Sequence, residues 1–214
     1  MTGEAVSCIV VAGGKGERFG RDKLAEEIGG RSLLQRVVER VSQVSSEILL
    51  SVAPGRPSDG LPMKSLRVVA DLYPGKSTLG GIYTGLVYST TFRSLVVAAD
   101  MPFLNTSLLR YLVEAAPGFD AVVPRLGGML EPLHAVYSRR CIAPMEEQIK
   151  RDELRIRVLL DKVRTRYVEE EVVRRFDPDC LSFFNVNTAN DLERARSLAA
   201  GVGIPGVDSE NCNT

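Results

Sequence analysis

The sequence predicts an α/β fold: a three-layer, doubly wound and mostly parallel sheet with helices on both faces. Three observations carry this expectation. Short apolar runs rich in β-branched residues alternate with amphipathic stretches as far as Ala116. The runs 6–11, 48–52, 66–70 and 95–99 are apolar nearly throughout, as strands buried on both faces are. Gly13, Asp71 and Asp100 each stand just past one of these runs. Ligands in such sheets bind beyond the carboxyl ends of the strands, so these three positions are expected to share one rim.

In chain order, residues 6–11 form the first strand and lead into a glycine-rich loop over 10–23. Glu27 to Arg31 reads as a tight turn around Gly29-Gly30, with Ser32 as the N-cap of a helix to about Ser45, where Leu33, Leu34, Val37, Val38 and Val41 recur at helical spacing. The strand 48–52 is closed by Pro54-Gly55, and 57–63 is a surface loop with two prolines and a glycine. After the strand 66–70, a glycine-containing loop over 72–81 precedes a helix to about Ser89. The strand 95–99 ends at Asp100-Met101-Pro102, and 106–116 is a helix stopped by Pro117-Gly118. The second half is expected to hold strands at 121–124 and 129–137 joined at Gly127-Gly128, and helices at 139–150 and 153–162. It closes with an edge strand at 165–168, a strand at 182–186 and a last helix capped by Thr188. Residues 1–200 read as one domain, and 201–214, with its glycines and proline, as a disordered tail.

Composition narrows the function. Apolar residues at 44% and charged residues at 25% are ordinary globular values, and 27 Lys plus Arg balance 27 Asp plus Glu. No global field favours nucleic acid or an anionic membrane, and no apolar run approaches the length of a membrane span. No export signal opens the chain, and Cys8, Cys141, Cys180 and Cys212 have no C-x-x-C spacing, so free thiols in a reducing, cytosolic compartment are expected.

Anion binding must therefore be local, and the stretch Val11-Ala12-Gly13-Gly14-Lys15-Gly16-Glu17-Arg18-Phe19-Gly20-Arg21-Asp22-Lys23 supplies it. Glycines at 13, 14, 16 and 20 let the backbone turn sharply and approach a ligand, and successive free N–H groups in such a turn make a concave anion site. Lys15, Arg18, Arg21 and Lys23 add the charge to hold a triphosphate. The spacing fits neither a Walker A loop nor the dinucleotide fingerprint. Lys23 and Arg18 are the expected phosphate ligands. Asp100, at a strand exit and followed by Pro102, is placed to ligate a hard cation such as Mg²⁺, which takes one or two carboxylates together with phosphate oxygens. Asp71 offers hydrogen-bond acceptors to a ribose or a guanine edge. Asn185 and Asn187, two apart on an expected strand, would face one ligand together; capping of the last helix explains one of them but not both. His134, the only histidine, alternates with apolar residues and reads as structural, and the dense charges of 150–175 read as a solvated face.

Ala12-Gly13-Gly14, Arg18-x-Gly20 and Asp22-Lys23 resemble the signature of sugar-phosphate nucleotidyltransferases, and the chain from about residue 6 to 198 resembles the molybdenum cofactor guanylyltransferase (MobA) family. That resemblance implies a Rossmann-like nucleotidyltransferase fold, GTP and Mg²⁺ as nucleotide and metal, and a molybdopterin-type cofactor as acceptor. It implies a nucleotide site at Val11, Ala12, Gly13, Gly14, Lys23, Asp71, Asp100, Gly80 of a Pro-Leu-x-Gly-type loop, and Ser51. Ser51 stands where an asparagine is common, and Ser77-Thr78 stand where a proline is common before the leucine. Asn-x-Asn-Thr at Asn185 and Asn187 and the position of Pro132 resemble the family's acceptor side. The acceptor phosphate would attack the α-phosphate of GTP in line and release pyrophosphate, and transient contacts with cofactor-supplying and molybdoenzyme acceptor proteins are expected. Cytidylyl transfer to molybdopterin, a sugar- or lipid-precursor nucleotidyltransferase, and a non-catalytic nucleotide or cofactor carrier are the other readings; intact Lys23 and Asp100 weigh against the carrier.

Overall fold

The computed structural model describes residues 5–12, 23–55 and 66–201. Gly13, Gly14, Lys15, Arg18 and Arg21, the loop at 57–63, Cys212 and the tail beyond Gly201 lie outside the described residues. Its elements are β1 (Val6–Ala12), β2 (Glu27–Ile28), β3 (Arg31–Ser32), α1 (Leu33–Val41), β4 (Glu47–Val52), β5 (Leu66–Ala70), α2 (Ser77–Tyr88), β6 (Arg93–Ala98) and α3 (Thr106–Glu114). There follow β7 (Ala121–Leu126), β8 (Met129–Leu130), β9 (His134–Ser138), α4 (Ile142–Lys150), α5 (Ile156–Lys162), β10 (Thr165–Glu169), α6 (Glu170–Arg174) and α7 (Ala189–Ala199). No helix among the described residues is long and apolar enough to cross a membrane.

One sheet runs in the order β10-β7-β9-β6-β1-β4-β5, with β8 pairing to β7. β1 lies parallel to both β4 and β6, β4 is parallel to β5, and β7 is parallel to β10. β9 runs antiparallel to β6 and β7. Ile9 and Val10 are fully buried on opposite faces of β1, which is why the run reads as continuously apolar. One face packs on α1, α3 and α6 through residues such as Val37, Leu108 and Val173. The other packs on α2, α4 and α5 through Ile82, Met145 and Leu160. These are the three layers the sequence predicts. A third, smaller cluster joins Ile28, Leu33, Val186, Leu192 and Ala195, fastening the β2–β3 hairpin to the C-terminal helix.

Local chemistry sets the boundaries. Gly29 and Gly30 both take positive φ (59° and 75°), the conformation a two-residue hairpin turn needs. Ser32 caps α1 through a reciprocal pair with Gln35, its side chain accepting from Gln35 N–H at 3.1 Å. Thr188 and Asp191 repeat the device at α7. Buried Cys8 and Cys141 are free thiols, and burial pushes Cys141 up to about 12.

Four expected boundaries differ, each for a visible reason. The loop expected over 72–81 gives way to helix at Ser77, so Gly80 and Gly81 lie inside α2. The strand expected over 129–137 is broken between β8 and β9, because His134 N–H turns back to Glu131 C=O and Pro132 has no N–H to donate. The helix expected from Glu153 starts at Ile156, because the Gln148 side chain donates to Glu153 and Arg155 carbonyls and holds that stretch off the helix. Residues 182–186 are not a strand: Asp177 accepts from Leu181 N–H at 3.1 Å and Ser182 N–H at 2.8 Å, drawing residues 181–183 into a 3-10 turn. The helix α6 went unforeseen; its five residues show no periodicity.

Helix α2 owes its place to missing side chains. A Cβ at Gly85 would lie 2.3 Å from Ile9 Cγ2, and one at Gly81 would lie 2.8 Å from Val11 Cγ1. Gly85→Ala is therefore expected to destabilise the protein by about 1–3 kcal/mol through overpacking. Urea unfolding of the variant checks this, and unchanged stability would mean that α2 shifts freely on β1.

Candidate active site

The strand registers bring the exits together. Ala12 stands beside Val52, and Val52 beside Ala70, while Val11 stands beside Ala98. Beyond the last rungs, Asp71 N–H donates to Val52 C=O at 2.8 Å and Ala99 N–H to Val11 C=O at 3.1 Å. Asp71 and Asp100 therefore emerge on one rim, on either side of the point where β1 enters the glycine-rich stretch. Lys23 returns from that stretch at the start of a one-turn 3-10 helix, Lys23–Ala25, ahead of the β2–β3 hairpin.

On the β5 side, Asp71 orders the turn that leads into α2. Its Oδ1 accepts from Tyr73 N–H at 3.0 Å and from Thr84 Oγ1 at 2.8 Å, and Thr84 Oγ1 in turn accepts from Leu72 N–H at 2.9 Å. A Cβ at Gly80 would sit 3.3 Å and 3.4 Å from the two Asp71 carboxylate oxygens and 2.9 Å from Tyr73 C=O. Glycine at 80 is thus what lets the carboxylate lie against the helix. Ser51 is buried, its hydroxyl 3.7 Å from where a Cβ on Gly81 would stand, so it lies beneath α2 rather than on the open rim. Thr84 was missed from sequence; it is a fully buried hydroxyl residue in the middle of α2.

On the β6 side, Val186 N–H donates to Asp100 C=O at 3.0 Å. Val186 is fully buried among Ile28, Leu33, Leu192 and Ala195, which fixes Asn185 and Asn187 on either side of it. Asn185 Nδ2 donates to Phe183 C=O at 3.1 Å, and Asn187 N–H donates to Asp191 Oδ2 at 3.0 Å. The segment carrying the two asparagines is therefore tied to the Asp100 backbone through Val186, and it is irregular rather than the strand the sequence predicts.

Between β8 and β9, Glu131-Pro132-Leu133 crosses the same rim, with Leu133 C=O accepting from Ala98 N–H at 3.1 Å. Pro132 C=O accepts from Tyr137 Oη at 3.0 Å. Burial pushes the Glu131 carboxyl up to about 7. Behind this segment His134 is fully buried, its ring 4.5 Å from that of Phe183, and burial lowers it to about 3. Neither ring nitrogen has a partner among the described residues. A neutral, enclosed imidazole is structural, in agreement with the sequence reading.

Among the described residues no cluster of three or more His, Cys, Asp or Glu could cage a metal ion. The oxygen donors at the rim suit a cation that borrows its remaining ligands from phosphate and water. The rim thus gathers Asp71, Asp100, residues 131–133 and residues 185–187 beyond the strand ends. Residues 8–172 match the MobA-like NTP transferase domain. The chain belongs to that family.

Relatives agree along nearly the whole chain. A probable molybdenum cofactor guanylyltransferase of Pelotomaculum thermopropionicum is 39% identical, covering 89% of this chain and 92% of the relative. The molybdenum cofactor guanylyltransferase of Desulfosudis oleivorans is 32% identical over 91% of this chain and 96% of its own. Among solved structures, the molybdopterin-guanine dinucleotide biosynthesis protein A of Archaeoglobus fulgidus superposes with a TM-score of 0.79 at 28% identity, covering 92% of this chain and all of that one. The 2-C-methyl-D-erythritol 4-phosphate cytidylyltransferase of Thermus thermophilus shares the fold at a TM-score of 0.67 and 20% identity, covering 92% of this chain and 99% of that one. The MobA-like sheet and its flanking helices are thus those of the nucleotidyltransferases.

The buried histidine has a consequence for acid stability. The unfolded chain takes up a proton near the ordinary 6.5, whereas folded His134 resists it down to about 3, so its neutral burial stabilises the fold above 6.5 and that contribution is lost as pH falls toward 3. Glu131 acts oppositely: its contribution is present below the ordinary 4.5 and lost as pH rises through about 7. The melting temperature of His134→Leu is expected to fall less than that of the unsubstituted protein between pH 6.5 and 4, since both proteins share the Glu131 contribution. Parallel curves would show that His134 is not the source of acid sensitivity.

Proposed function

We propose that the chain transfers GMP from GTP to a molybdopterin-type acceptor, releasing pyrophosphate. The observation that carries this reading is the hydrogen bond from Val186 to Asp100, which joins the Asn-x-Asn segment to the strand exit carrying the central carboxylate. It does so in a chain whose relatives bear the name molybdenum cofactor guanylyltransferase at 39% and 32% identity. The nucleotide occupies the rim over β1, β4 and β5, with Asp71 toward the nucleoside, and the acceptor occupies the rim over β6 and β9.

Asp100 holds Mg²⁺ in this reading, together with phosphate oxygens. The ion would supply positive charge to offset the negative charge that develops at the attacked α-phosphate. The protein's own part is positioning. Asp71 and α2 fix the nucleoside side, Lys23 and Arg18 bind phosphate, and Asn185 and Asn187 align the acceptor for in-line attack. A phosphate nucleophile is already anionic at neutral pH and needs no strong base, which fits a site whose one histidine is enclosed.

Pyrophosphate release with molybdopterin and Mg²⁺, run with GTP, CTP, ATP and UTP in parallel, tests the reading. Release with GTP alone is expected, and release with CTP alone would transfer the same chemistry to the cytidylyl branch. Asp100→Asn keeps the side chain's size but weakens its hold on a cation, and is expected to lower kcat by roughly 100-fold or more. A variant with undiminished turnover would remove Asp100 from the reaction.

A further inference from the structure

The segment 131–133 is the best-fastened piece of the acceptor rim, and its one charged side chain is left over. Three backbone hydrogen bonds and one from a side chain hold it: Glu131 N–H to Pro124 C=O at 3.0 Å, His134 N–H to Glu131 C=O at 3.1 Å, Ala98 N–H to Leu133 C=O at 3.1 Å, and the Tyr137 hydroxyl to Pro132 C=O at 3.0 Å. None uses the Glu131 carboxylate, and among the described residues no hydrogen bond or ion pair reaches it. The side chain is nonetheless partly buried, and desolvation is the one cause that raises its pKa. N–H donors brought to that carboxyl favour its ionised form, which can only accept, and offset the desolvation.

Place and charge identify what those donors belong to. Glu131 precedes β9, next to the β6 exit that carries Asp100, whereas Asp71 follows β5. Four strand spacings separate β9 from β5, roughly 19 Å at about 4.8 Å each. A guanine held near Asp71 therefore does not reach Glu131. Phosphates are repelled by a carboxylate, so the partner is the uncharged part of the acceptor. A pterin presents on its pyrimidine edge a ring N–H and an amino N–H side by side, a pair that one carboxylate accepts in parallel.

We propose that Glu131 binds the acceptor by receiving the paired N–H donors of its pterin ring, with residues 131–133 as the wall against which that ring is held. This rests on the acceptor being a molybdopterin-type molecule. The backbone bonds give the carboxylate a fixed position before the acceptor arrives, so little ordering accompanies binding. Glutamine at this position would accept one N–H and set its own N–H₂ against the other.

Equilibrium binding of molybdopterin without nucleotide, followed by pterin fluorescence, tests the assignment in the unsubstituted protein, Glu131→Gln and Glu131→Asp, with GTP affinity measured alongside. The glutamine variant is expected to bind molybdopterin about tenfold more weakly or worse while its GTP affinity stays within about twofold, and the aspartate variant to recover part of the loss. Equal molybdopterin affinity in all three proteins overturns the assignment. So does a parallel loss of GTP affinity, equal loss in the Asp and Gln variants, or no molybdopterin binding by the unsubstituted protein. Because no group is transferred in this measurement, a protein that binds molybdopterin yet releases no pyrophosphate from GTP contradicts the transfer reading, while the Glu131 assignment is still decided by the affinities.

Discussion

The site depends first on the register of β1 with its two parallel neighbours. Val11 pairs with Ser51 on one side and Ala98 on the other, so the strands end level and release their chains at one height. Everything charged at the rim follows from that alignment. Asp71 and Asp100 come from segments remote in sequence, yet each leaves the sheet one or two residues past its last rung. Burial of β1 on both faces makes the register hard to shift, because a one-residue slip would exchange Ile9 for Val10 between two differently shaped cores.

Two further constraints turn a rim into a site. Helix α2 lies close over β1 because Gly81 and Gly85 leave room for Val11 and Ile9, and that closeness brings Thr84 and Gly80 up to Asp71. At the other end, Val186 is buried in the cluster that joins the hairpin to α7, so the C-terminal part of the chain is bound to the exit of β6. In the proposed reading the nucleoside side is built by residues 71–85 and the acceptor side by residues 131–133 and 185–187, with Asp100 between them. The opposite pole of the sheet is plainly structural. There the Glu47 carboxylate, desolvated yet held ionised by Ser7 and Thr90, closes the amino ends of the strands.

Much of this was legible in the sequence because the central strands announce themselves. Apolar runs with β-branched residues, followed by Gly13, Asp71 or Asp100, are the direct imprint of a doubly buried parallel sheet with a ligand rim. The caps at Ser32 and Thr188 were equally plain, since their partners lie three residues away. What escaped notice depends on long-range or side-chain contacts. The turn at 181–183 is set by Asp177 accepting two backbone N–H groups, and a six-residue pattern of apolar and amide residues cannot disclose that. The antiparallel insertion of β9 between β6 and β7 has no local signal, because strand direction is decided by connections. The family resemblance places Ser51 in the nucleotide site, and the approach of α2, which buries its hydroxyl, is legible only through the spacing of Gly81 and Gly85. Glu131 was passed over because nothing in a sequence marks a carboxylate that finds no partner.

The central claim is that nucleotide and acceptor occupy opposite halves of one rim, divided at Asp100. A crystal structure of the Asp100→Asn protein with GTP bound tests it most directly. The account predicts guanosine over β4 and β5 beside Asp71, with the phosphates running toward residue 100 and the rim at Glu131, Asn185 and Asn187 left open. Density for guanine against Glu131 or the two asparagines would contradict it.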